Sequence, residues 1–386
     1  MRLGRIAKPA KRSRADSLRL FTVHGAVVVG LYVLSFPTTH ERIPAVLRPI
    51  VGCMMSATVT GNIQGYYDQL LDKPQDVSSA YDYERQDRIH KVLRPVSDLR
   101  QREMIPDLNF VRHGIRFTSN AWGMHDRNIT EAKPIGTVRI AVLGSSHVMG
   151  WGVTQDQLMT RRLEQLLNEN EAIGSSVEVL NFGVSGYSPL SQLGLLNTKL
   201  SRFEPDIVLF VSHSVDQEWT VMHMQRVRAE NTTTPFAFIE DILRDNNITT
   251  KSNEVLARSR LLPRAVEITT WVYRMMVEES HRMDALPVAA FAPLPREGEI
   301  LRRLASNRAV KDSLQIKELQ ASGFLVMDLR NVFQGRSSNE LALRQWEGHY
   351  SHVAHELMAD ALYSQIISST EICAVLHSNG TAQPHN

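Results

Sequence analysis

The stretch VRIAVLGSSHVMGWGV, residues 138–153, indicates the fold of this chain. Its first six residues form the short, mostly apolar run that is typical of a parallel β-strand covered on both faces. Gly144 ends the run, Ser145 and Ser146 follow at a turn, and residues 155–170 carry leucines at helical spacing. The pattern places Ser146 at the carboxyl end of a strand, where open α/β sheets bind their ligands. A serine that only caps a helix fits the same pattern.

Four further apolar segments indicate strands, at residues 177–181, 206–212, 286–292 and 324–329. Helical segments separate them. This alternation predicts an α/β fold with a doubly wound, mostly parallel five-stranded sheet. The long connection at residues 217–284 is predicted to be a lid-like insertion, because long excursions in compact domains usually carry function.

The N-terminal region indicates a membrane anchor. Residues 1–19 contain seven Lys and Arg side chains, and residues 20–36 form an apolar run without charged side chains. A helix of that length spans about 26 Å, close to the thickness of a bilayer core. The basic tail before it predicts a cytoplasmic N-terminus and an extracytoplasmic domain, periplasmic or at the cell surface. A cleaved signal peptide and a buried core helix are the alternatives.

Charge and cysteine content argue against a nucleic-acid-binding, a disulfide-rich or a zinc-binding protein. The whole chain has 43 basic and 41 acidic residues, but outside the tail, which holds seven basic residues and Asp16, 36 basic residues face 40 acidic ones, so we expect no nucleic-acid partner. Two cysteines, Cys53 and Cys373, provide neither a disulfide framework nor a zinc motif. Residues 37–115 are interpreted as a stalk or a packed N-terminal extension without assigned chemistry.

Four blocks of the sequence resemble those of the SGNH (GDSL-type) hydrolase family. They are RIAVLGSSHVMGWGV, VEVLNFGVSGYSPL from Val177, PDIVLFVS from Pro205 and EGHYSHVAHELMA from Glu347. The segment RFTSNAWGMHDR, from Arg116, resembles the lead-in to the first strand in one branch of the family. The resemblance implies a flavodoxin-like SGNH hydrolase domain at residues 116–368, followed by a flexible tail at 369–386.

The resemblance also implies a catalytic site. Ser146 would be the nucleophile, and His349 the general base that takes its proton. Glu347 would orient His349, while Gly186 and the backbone of Ser146 would form the oxyanion hole. A second histidine position of the family maps to His355 and is structural. No cofactor is implied.

The chain departs from the family pattern in its third block. If Asp216 keeps the register of the family aspartate, then Val215 replaces the asparagine that helps to hold the oxyanion. A valine side chain cannot donate a hydrogen bond. His213 or Ser214 would be substitute donors, or the backbone alone would hold the oxyanion. Ser145 likewise replaces the usual aspartate of the first block.

A metal site is the competing interpretation of the histidines. His349, His352 and His355, with His213 nearby, are potential ligands. Their spacing does not match HExxH, and no cysteine or paired carboxylate accompanies them. We therefore predict no metal.

The resemblance implies a serine esterase that acts on an acyl ester. Analogy and the predicted topology favour O-acetyl groups of an envelope or exported glycan as the substrate. A transferase would use the same acyl-enzyme and pass the acyl group to a sugar hydroxyl. The alternative is a catalytically impaired binding or scaffolding protein of the same fold, for which Val215 is the best support. The sequence leaves the oligomeric state open.

Overall fold

The structure is a computed structural model that describes residues 92–112, 114–232, 234–295, 305–344 and 347–378. The predicted basic tail and membrane anchor, at residues 1–36, lie outside these ranges. Within them, no helix is both long enough and apolar enough to cross a membrane.

A five-stranded parallel sheet forms the centre of the described chain, as the sequence predicts. Its strand order is β6-β5-β7-β8-β9, and every neighbouring pair is parallel. The strands are β5 (Thr137–Leu143), β6 (Ser176–Asn181), β7 (Ile207–Ser212), β8 (Leu286–Phe291) and β9 (Leu325–Asp328). Because β5 lies between β6 and β7, the order of the chain reverses there, and a crevice is expected at the carboxyl ends of these strands.

Eleven helices of the described ranges connect or follow the strands. They are α1 (Ser146–Met149), α2 (Met159–Glu169), α3 (Pro189–Thr198), α4 (Asp216–Ala229), α5 (Ala237–Asp245), α6 (Glu254–Leu261), α7 (Ala265–Arg282), α8 (Ala305–Ala321), α9 (Ser338–Leu341), α10 (His352–Ser368) and α11 (Thr370–Ser378). Short 3₁₀ helices lie at Gln155–Gln157, Leu200–Phe203 and Leu262–Arg264. The predicted insertion at 217–284 is therefore largely helical.

Helices cover both faces of the sheet. On one face, Met159 of α2 and Met358 of α10 join Ile140 of β5 in one buried apolar cluster. On the other face, the ring of Phe210 in β7 lies 5.8 Å from that of Tyr273 in α7. All seven residues of β5 are buried, in agreement with the mostly apolar run that predicted a covered strand.

Two hairpins precede the sheet. They pair β1 (Leu93–Pro95) with β2 (Arg102–Met104), and β3 (Asn109–Arg112) with β4 (Ile115–Thr118). Leu99 and Met104 are buried, and the backbone at Leu99 approaches Gly194 of α3. From residue 92 onward, the first hairpin thus packs against α3.

The C-terminal segment corrects one expectation. Residues 369–386 were expected to form a flexible tail, but Thr370–Ser378 form α11. Ile372 and Leu376 are buried in the same cluster as α10. This apolar pair at helical spacing gives the segment a face to bury.

Candidate active site

Ser146 is the first residue of α1, directly after the carboxyl end of β5. Ser145 caps this short helix: its backbone is extended, and its Oγ accepts from the amide of His147 at 3.5 Å. Gly150 ends the helix in the left-handed conformation, with φ of 77°. The turn therefore holds Ser146 at the carboxyl end of the sheet, and the predicted nucleophile is 1% exposed.

The loop after β6 packs against this turn. The amide of Val184 donates to the carbonyl of Gly144 at 3.2 Å. A Cβ atom added to Gly183 would lie 2.3 Å from the amide nitrogen of Met149, so only glycine permits this close approach. Gly186, the predicted oxyanion residue, has φ of 79°, and a Cβ atom there would meet nothing within 4 Å. The loop thus brings Gly186 to the same edge of the sheet as Ser146 and leaves open space beside it.

His147 joins the serine turn to the strand that carries His349. Its Nε2 lies 3.1 Å from the carbonyl oxygen of Gly348. Since a carbonyl only accepts, Nε2 carries the proton, and Nδ1 accepts from the hydroxyl of Ser145 at 3.1 Å. Burial, followed by the charges of His213 and His349, holds the pKa of His147 well below its usual value. His147 is therefore a neutral ring that bridges two segments of the site.

His349, the predicted base, lies in the last strand, β11 (Glu347–Tyr350), which pairs with β10 (Ala342–Arg344). His349 is 2% exposed, and the centroid of its ring lies 5.5 Å from that of His147. The structure thus brings His349 to the turn that carries Ser146. The side chain of Glu347 lies outside the described part of the chain, so its orienting role stays a prediction.

Asp216 has a structural role in the described network. Its Oδ2 accepts from the hydroxyls of Ser212 at 2.7 Å and Tyr273 at 3.0 Å, and its Oδ1 accepts from the amide of His213 at 3.3 Å. Burial raises its pKa to about 7. These contacts fix the end of β7 at the start of α4. Val215, which is 8% exposed, directly precedes α4, in the position predicted for the missing asparagine.

His213 is also buried at this edge, with its ring 5.0 Å from that of His147. Its Nδ1 lies 3.0 Å from the carbonyl oxygen of Ala292 and must donate to it. In the neutral ring Nε2 is then an acceptor, so His213 can replace the asparagine as a donor through Nε2 only when it is protonated. Ser214, 9% exposed, is the predicted substitute whose hydroxyl donates without a change of charge.

The remaining histidines of the last block have different surroundings. His352 is exposed, whereas His355 is buried and its Nδ1 accepts from the amide of Met159 at 3.2 Å. This contact ties α10 to the start of α2, which agrees with a structural role for His355. No group of three potential metal ligands occurs among the residues that the structure describes.

The lead-in segment, residues 116–127, forms hydrogen bonds that hold the serine turn in place. The imidazole of His125 donates through Nδ1 to the carbonyl of Met149 at 3.0 Å. Asp126 accepts from the amide of Asn181 at 3.0 Å, and burial raises the pKa of this carboxyl to about 6. The side-chain amide of Asn181 donates in turn to the carbonyl of Val148 at 3.0 Å. These buried polar contacts fix α1 against β6.

Sequence reasoning assigned no role to His147 or Asn181. His147 directly follows the predicted nucleophile, and Asn181 ends a predicted strand. These positions were the only features of the sequence that could have indicated a role for them in the site. Their partners are main-chain carbonyls of segments distant in sequence, which side-chain patterns do not reveal.

Comparison with known proteins gives similarity in structure only. No family model and no curated protein matches the sequence. One similar solved structure is a putative lipolytic protein of the G-D-S-L family from Desulfitobacterium hafniense DCB-2, 14% identical with a TM-score of 0.36, covering 59% of this chain and 98% of that one. Another is the acetylxylan esterase Axe2 from Geobacillus stearothermophilus, 14% identical with a TM-score of 0.38, covering 60% and 95%. A third is the esterase EstA from Pseudoalteromonas sp., 16% identical with a TM-score of 0.36, covering 59% and 96%. At this level of similarity, the function has to be argued from the site itself.

Proposed function

We propose that this protein is a serine ester hydrolase that works through an acyl-enzyme on Ser146. The observation that carries the proposal is the contact between the segment of Ser146 and the segment of His349 at the carboxyl edge of the sheet. His147, next to Ser146, contacts the backbone of Gly348, next to His349, at 3.1 Å. A nucleophilic hydroxyl and an imidazole base are the two groups that acyl transfer requires.

In the proposed reaction, Ser146 Oγ attacks the ester carbonyl while His349 takes the hydroxyl proton. The tetrahedral intermediate collapses, and His349 returns that proton to the leaving alcohol. Water then attacks the acyl-enzyme by the same route and releases the acid. Glu347 orients the imidazole, and backbone amides of Ser146 and Gly186 stabilise the oxyanion.

The replacement of asparagine by Val215 favours a second candidate, a binding or scaffolding protein with impaired catalysis. The orientation of His213 strengthens it, because its neutral ring does not supply a donor through Nε2. A single oxyanion donor contributes about 10² to 10³-fold to the rate in other acyl-transfer enzymes. The hydrolase we propose is therefore slow unless Ser214 supplies that donor.

Turnover of a simple ester separates the two candidates. Full-length protein is incubated with 4-nitrophenyl acetate beside Ser146→Ala and His349→Ala. We expect hydrolysis that both substitutions abolish, while His352→Ala, which changes an exposed histidine of the same block, retains it. Folded wild-type protein without turnover would favour the binding protein.

The substrate and location are further parts of the proposal. The apolar run at residues 20–36 and its basic flank support a single-pass anchor with the domain outside the cytoplasm. That location supports O-acetyl groups of an envelope or exported glycan as the ester, with either water or a sugar hydroxyl as acceptor. A C-terminal reporter that is active only outside the cytoplasm tests the topology: activity is expected, and an inactive reporter on a stable fusion would contradict it.

A further inference from the structure

Gly186 lies in a tight turn, residues 184–187, that we call the glycine turn. The amide of Tyr187 donates to the carbonyl of Val184 at 3.2 Å and closes the turn, and Gly186 occupies its third position with φ of 79°. A positive φ at this position of a turn favours glycine. The amide of Val184 donates to the carbonyl of Gly144, directly before the two serines, at 3.2 Å. One end of the glycine turn is therefore fixed to the segment that carries Ser146.

The other end of the glycine turn is fixed to α4 through a buried histidine. Ser188, the next residue, caps α3, and its Oγ lies 2.7 Å from Nδ1 of His223 in α4. The same nitrogen lies 2.9 Å from Oγ of Ser191. All three side chains are buried, and burial holds the pKa of His223 well below its usual value. The ring is therefore neutral at neutral pH.

Both serine hydroxyls remain able to bond to this ring. Oγ of Ser188 accepts from the amide of Ser191 at 3.3 Å, and Oγ of Ser191 accepts from the amide of Ser188 at 3.3 Å. Each hydroxyl thus uses an acceptor position in the cap of α3 and keeps its proton for a further partner, such as Nδ1 of His223. The contact therefore holds the residue that follows the glycine turn without the use of a charge.

Helix α4 connects this contact to the end of β7. Asp216, the first residue of α4, and His223 are seven residues apart, so they lie on one face of the helix, separated by about 10 Å along its axis. Asp216 accepts from the amide of His213 at 3.3 Å and from the hydroxyl of Ser212 at 2.7 Å. One helix therefore sets the distance between the end of β7 and the end of the glycine turn.

We propose that His223 is a positioning residue of the ester hydrolysis: its contact with Ser188 holds the backbone of Gly186 where it stabilises the oxyanion. Since Val215 carries no side-chain donor, the proposed mechanism depends on backbone amides. A displaced amide would lose stabilisation of the transition state, while binding of the substrate would persist. The inference rests on the proposed hydrolysis and on the predicted role of Gly186, and it adds a buried residue that acts through another.

Kinetics of full-length variants with 4-nitrophenyl acetate test the inference. We expect His223→Leu to lower kcat about tenfold or more, with KM changed less than twofold. His223→Asn, whose amide can still bond to a serine hydroxyl, should retain part of the rate. Methylboronic acid forms a tetrahedral adduct with an activated serine, so its affinity should fall by about the same factor as kcat. A merely structural role would lower stability without this parallel loss.

Two further variants connect the loss to the contact. Ser188→Ala should also lower kcat, and its combination with His223→Leu should cause little further loss, because both remove one contact. It also provides the comparison if His223→Leu does not fold. His355→Leu removes a similarly buried imidazole from α10 and should keep kcat within about twofold. Wild-type kcat in folded His223→Leu or Ser188→Ala, or an equal loss in His355→Leu, would overturn the inference and leave the proposed hydrolysis intact.

If the wild-type protein turns over no ester, the proposed hydrolysis fails, and hydrogen exchange of the full-length protein judges the contact independently. We expect the amides of residues 184–188 to exchange at least threefold faster in His223→Leu and Ser188→Ala than in the wild type. His355→Leu should show wild-type exchange in this segment. Equal exchange by the wild type and the two contact variants would overturn the positioning of the glycine turn by His223.

Discussion

The Nε2 atom of His147 lies 3.1 Å from the carbonyl oxygen of Gly348, and this contact joins the serine turn to the strand of His349. The ring is fully buried and neutral, so the contact does not depend on a charge. His147 is thus a positioning residue in our account: it holds the segment of the base against the segment of the nucleophile.

Loss of this bridge should impair both stability and catalysis. His147→Leu leaves the partly buried carbonyl of Gly348 without this donor, which costs about 1 kcal/mol in the free energy of unfolding. We expect kcat to fall about tenfold or more with little change in KM. His147→Gln, whose amide can still donate, should recover part of the loss. Urea unfolding and steady-state kinetics provide the two readouts, and unchanged kcat in a destabilised His147→Leu would show that the bridge does not position the base.

Restoring the family donor should increase the rate. Val215→Asn places an amide donor in the position of the missing asparagine, and one oxyanion donor is worth about 10² to 10³-fold in related chemistry. We expect kcat to rise about tenfold or more, with Val215→Leu as the apolar control. If folded Val215→Asn were no faster than wild type, the lack of a hydrogen-bond donor at position 215 would not limit the rate.

The glycine after β6 should tolerate no side chain. Gly183→Ala brings a Cβ atom to 2.3 Å from the backbone of Met149, so α1 must shift, at a cost of about 1 to 3 kcal/mol. Gly348→Ala, where the added atom meets nothing within 4 Å, is the matched control and should unfold near the wild-type midpoint. Equal thermal midpoints for the two variants would argue against the close packing of this loop on the serine turn.

His355 should make the protein sensitive to acid. Burial lowers its pKa in the folded protein to about 3, below the ordinary value of 6.5 for an unburied histidine. Between these values the unfolded chain binds the additional proton, so the contribution of His355 to stability is complete above about pH 6.5 and is lost as pH falls toward 3. His355→Gln should therefore flatten the dependence of unfolding free energy on pH in this window.

The exposed His352→Gln is the control for that measurement, carried out by urea unfolding at pH 4.5 and pH 7.5. Its pH dependence should match the wild type. If His355→Gln retained the wild-type difference between the two pH values, the acid sensitivity would arise from other groups.

The sheet could be predicted because its strands are continuous apolar runs. β5 to β8 each bury most of their length, and such runs are visible without knowledge of their partners. The edge strand β9 is only partly buried, but its first three residues are apolar as well. The hairpin of β1 and β2 could not be predicted in this way: its charged residues, such as Arg94 and Glu103, pair across the strands, and that pattern also fits a helix.

The site was predictable only in part. Ser146 and His349 were predicted because they occupy motif positions, and the structure brings their segments together through His147. The tautomer of His213 follows from the carbonyl of Ala292, 79 residues further along the chain. The polar support of α1 by Asn181 likewise depends on backbone carbonyls. Such contacts form only when the fold is complete, and a single sequence does not specify them locally.

The most direct test of the central claim is covalent labelling of Ser146. Full-length protein is treated with a fluorophosphonate and analysed by intact mass, beside Ser146→Ala and Ser145→Ala. We expect one adduct on wild-type protein and on Ser145→Ala, and none on Ser146→Ala. A folded wild-type protein that stays unlabelled, or an adduct that persists in Ser146→Ala, would contradict an activated serine at this position.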